Sequence, residues 1–211
     1  MDVKTFAELE ETPTLDKVDL LLLTEYYEAY LVPYIYSIKF EDGNEIEIKF
    51  NQDNFCHLIG LHKPAEKKFG KNSYQVKLYK GNRGYARIKD GSITKPKIKA
   101  LNKGAYSDMR DKMVNFYKIH TLLENAEAVY YTTVVNNITN VDILLYESTT
   151  KSYIHLGILK KENQAYYIPT TFLIEPITEH SDGKKFINDQ TPANIEKRMK
   201  VNDPLISGSS N

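Results

Sequence analysis

The chain has 211 residues, of which 41% are hydrophobic, and this is enough for one domain with a core of its own plus appendages. No apolar run approaches the ~18 residues of a membrane helix, and no hydrophobic signal core follows Met1, so we expect neither a membrane span nor a secretory signal. Cys56 is the single cysteine, so no internal disulfide is possible and a reducing, cytoplasmic location is expected.

The formal net charge of zero conceals a strong segregation of charge along the chain. Residues 1–62 carry four lysines and thirteen acidic residues, which gives a net charge of −9. Residues 63–103, called the basic block below, carry eleven lysines and two arginines against two acidic residues, a net charge of +11, and the remainder carries −2. Such a block is typical of a polyanion-binding surface and equally of a solvated lysine-rich loop.

The first third of the chain predicts a leader, a helix and a hairpin. Residues 1–13 are polar and acidic and end in a proline, which predicts a loose leader. Thr14 is a suitable N-cap for a helix that stops before Pro33. Residues 34–50 alternate apolar and polar side chains on both sides of a central turn, which indicates a β-hairpin.

The next predicted helix carries His57. Either Asp53 or Asn54 can accept hydrogen bonds from the N–H groups at its start, so we expect it to begin near Phe55. Its apolar residues recur at helical spacing and leave His57 off the core-facing side, free to reach a cleft. The same position suits a surface or half-buried structural histidine, so spacing alone assigns His57 no function.

The basic block mixes cations with tyrosines and glycines, a combination that suits phosphates and unstacked bases. Its glycines do not form a phosphate-binding loop, because the Lys-Ser/Thr ending of that motif is absent. The candidate RNA-binding residues in the block are Lys63, Lys67, Lys68, Lys77, Lys80, Arg83, Tyr85 and Arg87.

The second half of the chain predicts a helix followed by a sheet. Ser107 or Asp108 can cap a helix that reaches Leu123, with Arg110 off its apolar stripe. Four segments rich in β-branched and aromatic residues follow, and they predict a four-stranded antiparallel meander at 128–135, 141–146, 153–159 and 164–174. Beyond residue 176 we expect a mostly disordered tail with at most a short helix near 193–200.

Several short motifs occur in an order that resembles a known family. The pattern N-F-x-H-L-x-G-L-H-K at 54–63, the helix with Arg110, and the strands at 153–159 and 167–173 resemble phage-associated nucleases of the barnase/EndoU/colicin/RelE-like (BECR) class over about residues 30–175. The resemblance implies an α+β fold in which N-terminal helices and a hairpin precede the antiparallel meander and helices pack on one sheet face. We therefore expect a single nuclease domain at 14–176, with the basic block as an insert and residues 177–211 as its tail.

A ribonuclease that works without metal needs a base for the RNA 2′-hydroxyl, an acid for the leaving 5′-oxygen, and cations or N–H donors for the phosphate charge. His57 is the main acid/base candidate, and Arg110 can hold two phosphate oxygens. Thr171 occupies the position of a family serine that binds the phosphate or orients His57, although Phe and Leu follow it in place of two aromatics. His155 is a candidate second acid/base group on the less apolar strand face, or else a cross-strand packing residue.

The leading interpretation is a metal-independent endoribonuclease of phage or mobile-element origin, acting as a toxin or as an anti-host or defence effector in a host bacterial cell. RNA is the expected substrate, and an antitoxin, immunity or host protein is among the candidate partners. No cofactor and no metal site are expected, because His57 and His62 are five residues apart rather than the four that align ligands on a helix. The alternative is a catalytically inactive module, such as an inhibitor, that binds RNA or a host protein on the same fold.

Overall fold

A computed structural model describes residues 1–136, 138 and 140–207. The chain forms two compact units, each built from two separate segments. The helical unit comprises Met1–Val32 and Asn51–Lys118, and the sheet unit comprises Pro33–Phe50 and the described residues from Ile119 onward. The basic block lies within the helical unit.

Short helices make up the helical unit: α1 Val3–Ala7, α2 Leu20–Tyr30, α3 Gln52–Leu58, α4 His62–Phe69, α5 Gly81–Lys89, α6 Lys95–Leu101 and α7 Lys103–Asn115. Three 3-10 segments accompany them at Leu15–Lys17, Tyr74–Tyr79 and Phe116–Lys118. The helix predicted from Thr14 is therefore two pieces, and the longer one, α2, is capped by Asp19, whose side chain accepts a hydrogen bond from the backbone N–H of Leu22 at 2.8 Å. Among the described residues, no helix has the length and apolar character needed to cross a bilayer.

Aromatic side chains form the core of the helical unit. The ring of Phe55 packs edge to face on Tyr27, Tyr85 and Phe116, with ring centroids 5.2, 5.4 and 5.6 Å apart. Such pairs contribute about 0.5–1.5 kcal/mol each beyond the burial of their area. Because Phe55 lies two residues before His57, the helix that carries His57 is anchored in this core.

The first thirteen residues differ from the loose leader that we expected. The Asp2 side chain caps α1 by accepting a hydrogen bond from the Thr5 N–H at 2.8 Å. Phe6 is completely buried, and its ring meets Tyr26 edge to face at 5.5 Å. Burial of one phenylalanine is worth about 1.5–3 kcal/mol, so Phe6, with Ala7 buried beside it, holds this short helix on the core.

The helix of His57 also begins and ends elsewhere than predicted. Its N-cap is Asn51, not Asp53 or Asn54, and Asn51 and Asn54 form a reciprocal capping box. Gly60 has a φ of +74°, which is cheap only for glycine, and the chain turns there before α4 begins at His62. The two histidines therefore belong to different helices.

Two antiparallel sheets and two short helices make up most of the sheet unit: β1 Tyr34–Phe40, β2 Glu45–Lys49, α8 Ile119–Asn125, β3 Glu127–Tyr130, β4 Ile143–Ser148, β5 Ser152–Leu159, β6 Ile168–Pro176, β7 Thr191–Pro192, β8 Ile195–Asn202 and α9 Pro204–Ser207. The strand order is β2-β1-β8 in one sheet and β6-β5-β4-β3-β7 in the other. The predicted hairpin is β1 and β2, and the predicted meander is β3 to β6. The α+β fold class is thus confirmed.

The C-terminal segment corrects the prediction of a mostly disordered tail with a short helix. Residues 195–202 form β8, which pairs with β1 along almost its whole length. Glu, Lys, Arg and Met favour helix locally, but tertiary pairing with a buried strand outweighs that preference. Asp203, which is completely buried next to the end of β8, forms an ion pair with Lys49 of β2 at 2.5 Å.

Candidate functional site

Two histidines of the helical unit lie face to face. The rings of His57 and His62 are almost parallel, with an interplanar angle of 3° and centroids 5.0 Å apart. His57 is exposed, whereas His62 is only 5% exposed and its Nδ1 has no hydrogen-bond partner. One imidazole is therefore open to a ligand while the other supports it from beneath. We call these two residues the histidine pair.

Lysine side chains from three places in the sequence lie around the histidine pair. Lys63 follows His62 on α4, Lys80 precedes α5, and Lys112 lies on α7. The Lys80 Nζ forms an ion pair with the Glu66 Oε1 at 2.7 Å, and the Glu66 side chain is only 15% exposed. The site thus combines two imidazoles, one carboxylate and three cations within a single unit.

The charges around the pair set its protonation. Partial burial, together with the positive charges of Lys112, Lys63 and Lys80, lowers the pKa of His57 below its ordinary value of 6.5. Burial, and then the proximity of His57, lowers the pKa of His62 to about 3. Both rings are therefore neutral at pH 7, and the exposed one can accept a proton.

Lys112 is also perturbed. Burial, followed by the charge of Lys63, lowers the pKa of the Lys112 ammonium to about 8. For Glu66, burial is the largest contribution and acts to raise the pKa, but the hydrogen bond from Lys80 and the nearby positive charges together hold the pKa below its ordinary value. At neutral pH the site therefore contains a cation that gives up its proton unusually easily and a carboxylate that stays ionised.

Helix α7 directs Lys112 rather than Arg110 towards this site. Arg110 is exposed, and its charge acts on Tyr106, one turn earlier on the same helix. Two residues correspond to about 200° of rotation along an α-helix, so Arg110 and Lys112 point in nearly opposite directions. Lys112 is thus better placed than Arg110 to contact a phosphate at His57.

The two other candidate catalytic residues lie in the sheet unit, whereas His57 and Arg110 lie in the helical unit. The prediction placed His155 on the less apolar strand face, and in the structure it is completely buried, with the Phe186 ring edge to face at 5.5 Å. Burial lowers the pKa of His155 to about 4. Thr171 is half-buried in β6 directly opposite Gly157 in β5. The burial of His155 favours the second interpretation from the sequence, a cross-strand packing residue.

Comparison with known families identifies the chain at this point. The model of the family described as phage-Barnase-EndoU-ColicinE5/D-RelE like nuclease 4 (PBECR4) matches residues 23–201. The chain belongs to this family. The match spans most of both units and confirms the resemblance inferred from the short motifs. No curated protein and no solved structure matches the chain.

The candidate RNA-binding residues of this PBECR4 protein are mostly exposed. Lys63, Lys67, Lys68, Lys77, Lys80 and Arg83 are exposed and Arg87 is half-buried. Tyr85 is different, because it is only 4% exposed and its hydroxyl donates a hydrogen bond to the Thr24 carbonyl at 3.4 Å. Tyr85 is therefore a core residue and does not stack on a base. Its ring contacts Phe55 where α5 packs on α3.

Sequence reasoning missed three residues of the site. His62, Glu66 and Lys112 were not among the site residues predicted from the sequence. The available signal was Gly60, because a glycine at a helix end restarts the chain in a new direction and can turn the two histidines towards each other. In the part of the chain that the structure describes, no three His, Cys, Asp or Glu side chains come together in a way that could hold a metal ion.

Proposed function

We propose that this PBECR4 family member is an endoribonuclease that cleaves RNA without a metal ion, using His57 as its general base. The observation that carries the proposal is the exposed, neutral imidazole of His57, stacked on buried His62 and surrounded by three lysines. The family description supports a nuclease of phage origin. A role as a toxin or as an anti-host or defence effector is part of the same proposal.

The reaction starts at the RNA 2′-hydroxyl. His57, neutral at pH 7, takes the 2′-hydroxyl proton, and the 2′-oxygen forms a bond to the adjacent phosphorus. The bond from phosphorus to the 5′-oxygen breaks, and that oxygen leaves with a proton. The products are a 2′,3′-cyclic phosphate and a 5′-hydroxyl, so no atom from solvent is required in this step. His62 positions the His57 ring by stacking on it.

Lysines supply the positive charge that the reaction needs. Negative charge builds up on the non-bridging phosphate oxygens in the transition state, and cations held in place beforehand stabilise it. Lys112 is suited both to this and to protonating the leaving 5′-oxygen, because its pKa of about 8 makes it a better acid than an ordinary lysine. Lys80 is held by Glu66, so its charge is fixed in place. Arg110, Thr171 and His155 have no part in this mechanism.

The test is cleavage of end-labelled single-stranded RNA by the purified protein in the presence of EDTA, with identification of the fragment ends. We expect fragments with 2′,3′-cyclic phosphate ends from the parent protein, and formation of these fragments at least about 100-fold slower by His57→Ala. His180→Ala is the matched control, since His180 is an exposed histidine of the sheet unit and its replacement leaves the site intact. Cleavage that requires an added divalent ion, or a His57→Ala variant that cleaves RNA as fast as the parent, overturns the proposed mechanism.

One further outcome separates catalysis from binding. RNA that is bound at low salt and never cleaved, under any of these conditions, would replace the proposal by the inactive RNA-binding module. Binding through phosphates weakens steeply with salt, so the salt dependence of the affinity identifies that case.

A further inference from the structure

One tyrosine of this protein differs from the others in its exposure to solvent. The chain has 16 tyrosines, all within the described residues, and Tyr74 is the only one that is exposed, at 65%. The other fifteen are buried or half-buried. A large apolar ring gains free energy from burial, so a ring left open on a surface is available to a ligand.

Two cations hold the Tyr74 ring in place. The Nζ of Lys77 lies 5.7 Å from the ring centroid and the Cζ of Arg83 lies 5.8 Å from it. The Arg83 Nη1 also donates a hydrogen bond to the Tyr74 hydroxyl at 3.2 Å. An exposed aromatic ring with two positive charges next to it is an arrangement by which proteins bind a base and its flanking phosphates.

We propose that Tyr74, between Lys77 and Arg83, is a stacking platform for an unpaired base of single-stranded RNA. This inference rests on the proposed function and narrows its substrate class. An unpaired base presents its whole π-face, whereas bases in a duplex are covered by their neighbours. The substrate is therefore single-stranded RNA or an RNA loop rather than a continuous duplex.

The position of the platform connects it to the histidine pair. Tyr74 begins the 3-10 segment Tyr74–Tyr79, and Lys80, which pairs with Glu66, follows that segment directly. Six residues of chain span at most about 22 Å, so the platform lies within a few nucleotides of the site. All of these residues belong to the helical unit. A base held on Tyr74 therefore fixes which phosphate of the strand reaches His57.

Charge favours RNA over a protein as the ligand of this surface. The platform lies in the basic block, whose net charge is +11, and its flanking groups are a lysine and an arginine. A polyanion with π-faces matches both features at once, whereas an acidic peptide matches only the charge.

The experiment measures binding of a short single-stranded RNA in a His57→Ala background, which prevents cleavage during the assay. We expect Tyr74→Ala to weaken binding by about 5- to 150-fold, the range for removal of one base–aromatic stack, and Tyr74→Phe to retain it. Tyr166→Ala is the matched control, because Tyr166 also has a lysine over its ring, Lys49 at 5.5 Å, but lies half-buried in the sheet unit.

The salt dependence distinguishes stacking from charge. Tyr74→Ala leaves the slope of log affinity against log salt unchanged, whereas Lys77→Met makes the slope shallower by about 0.7 for each phosphate that is no longer neutralised. Two results overturn the proposal. One is equal affinity of the His57→Ala protein for the single-stranded RNA and for the same RNA as a duplex. The other is an unchanged affinity for the single-stranded RNA when Tyr74→Ala is added.

Failure of the proposed function gives a different result. If the parent protein binds RNA but does not cleave it, weakened binding in Tyr74→Ala still supports the platform. If the parent cleaves RNA and Tyr74→Ala binds and cleaves normally, the platform is wrong and the nuclease proposal stands. If the parent binds no RNA at all, both are wrong.

Discussion

His57 in the helical unit and His155 in the sheet unit both have a lowered pKa, but their surroundings differ. His57 is exposed and has lysines around it, whereas His155 is completely buried among the rings of Tyr146, Tyr153 and Phe186. Burial is the main cause of the shift in both cases. A perturbed pKa therefore indicates chemistry only where the group can also reach a substrate.

The largest expected effect is the difference in kcat/KM between variants of His57 and of His155. We expect His57→Ala to lower kcat/KM for RNA cleavage by about 100-fold or more, because removal of a general base typically costs 10²–10⁴. His155→Leu should keep kcat/KM within about threefold, since a buried packing residue of similar size is replaced by an apolar one. Steady-state cleavage assays, with circular dichroism to confirm folding, measure both. Equal decreases of kcat/KM in the two variants would contradict a catalytic role for His57 alone.

The second-largest effect concerns the two cations of α7. We expect Lys112→Met to lower kcat/KM by about 100-fold, because one preorganised charge at the phosphate is removed. Arg110→Met should have a much smaller effect, since Arg110 points away from Lys112 on the same helix. The pair is well matched, because both variants remove one positive charge from α7. The opposite ranking would restore Arg110 as the phosphate ligand predicted from the sequence.

The strands were more predictable than the site. The hairpin of β1 and β2 could be predicted from the alternation of apolar and polar side chains, and the meander from runs of β-branched and aromatic residues, because both signals are local. β8 could not, because its residues favour helix and only pairing with β1 makes them a strand. Phe6 in the supposed leader shows the same limitation, since its partner Tyr26 is twenty residues away.

The site was predictable only in part for a similar reason. His57 emerged from a local motif, but Lys112 is 55 residues further on and joins it only through the packing of α7. Arg110 was preferred because a guanidinium is the better phosphate ligand in isolation. Which of two residues on one helix faces the site depends on the rotation of that helix, and the sequence does not determine it.

Two glycines allow a direct comparison of the units in stability. A Cβ on Gly84 in α5 would lie 2.8 Å from both the Cys56 Sγ and the Tyr79 carbonyl carbon, whereas the atoms nearest to one on Gly157 in β5 would be in the side chains of Thr171 and Val141, at 2.5 and 2.7 Å. Backbone atoms yield less readily than side chains. We therefore expect Gly84→Ala to destabilise the protein by about 3 kcal/mol and Gly157→Ala by about 1–2 kcal/mol.

Activity should separate these two variants further. Gly84 packs against Cys56, the neighbour of His57 on α3. Molecules of Gly84→Ala that remain folded should therefore cleave RNA more slowly than the parent protein, whereas folded Gly157→Ala should cleave at the parent rate. Urea unfolding and cleavage assays below the unfolding transition test this. Gly104→Ala is the control, because an added Cβ there approaches only the Asn102 Oδ1 at 3.5 Å and an alanine in the first turn of α7 stabilises it. A Gly84→Ala variant as stable as Gly104→Ala contradicts the prediction.

The smallest expected effect is a displacement of the pH profile, and it tests whether charge as well as burial acts on His57. A base must be neutral, so kcat/KM should rise with pH through the pKa of His57, below 6.5, and fall again as Lys112 loses its proton near pH 8. The Lys63 charge disfavours the imidazolium, so Lys63→Ala raises the pKa of His57 and moves the rising limb to higher pH. The limb's position, rather than its height, is the measured quantity, because Lys63 is also a candidate RNA-binding residue. Lys197→Ala, which removes an exposed lysine of β8 in the sheet unit, should leave the limb in place. A rising limb that stays fixed in Lys63→Ala would mean that the charge of Lys63 does not act on the pKa of His57.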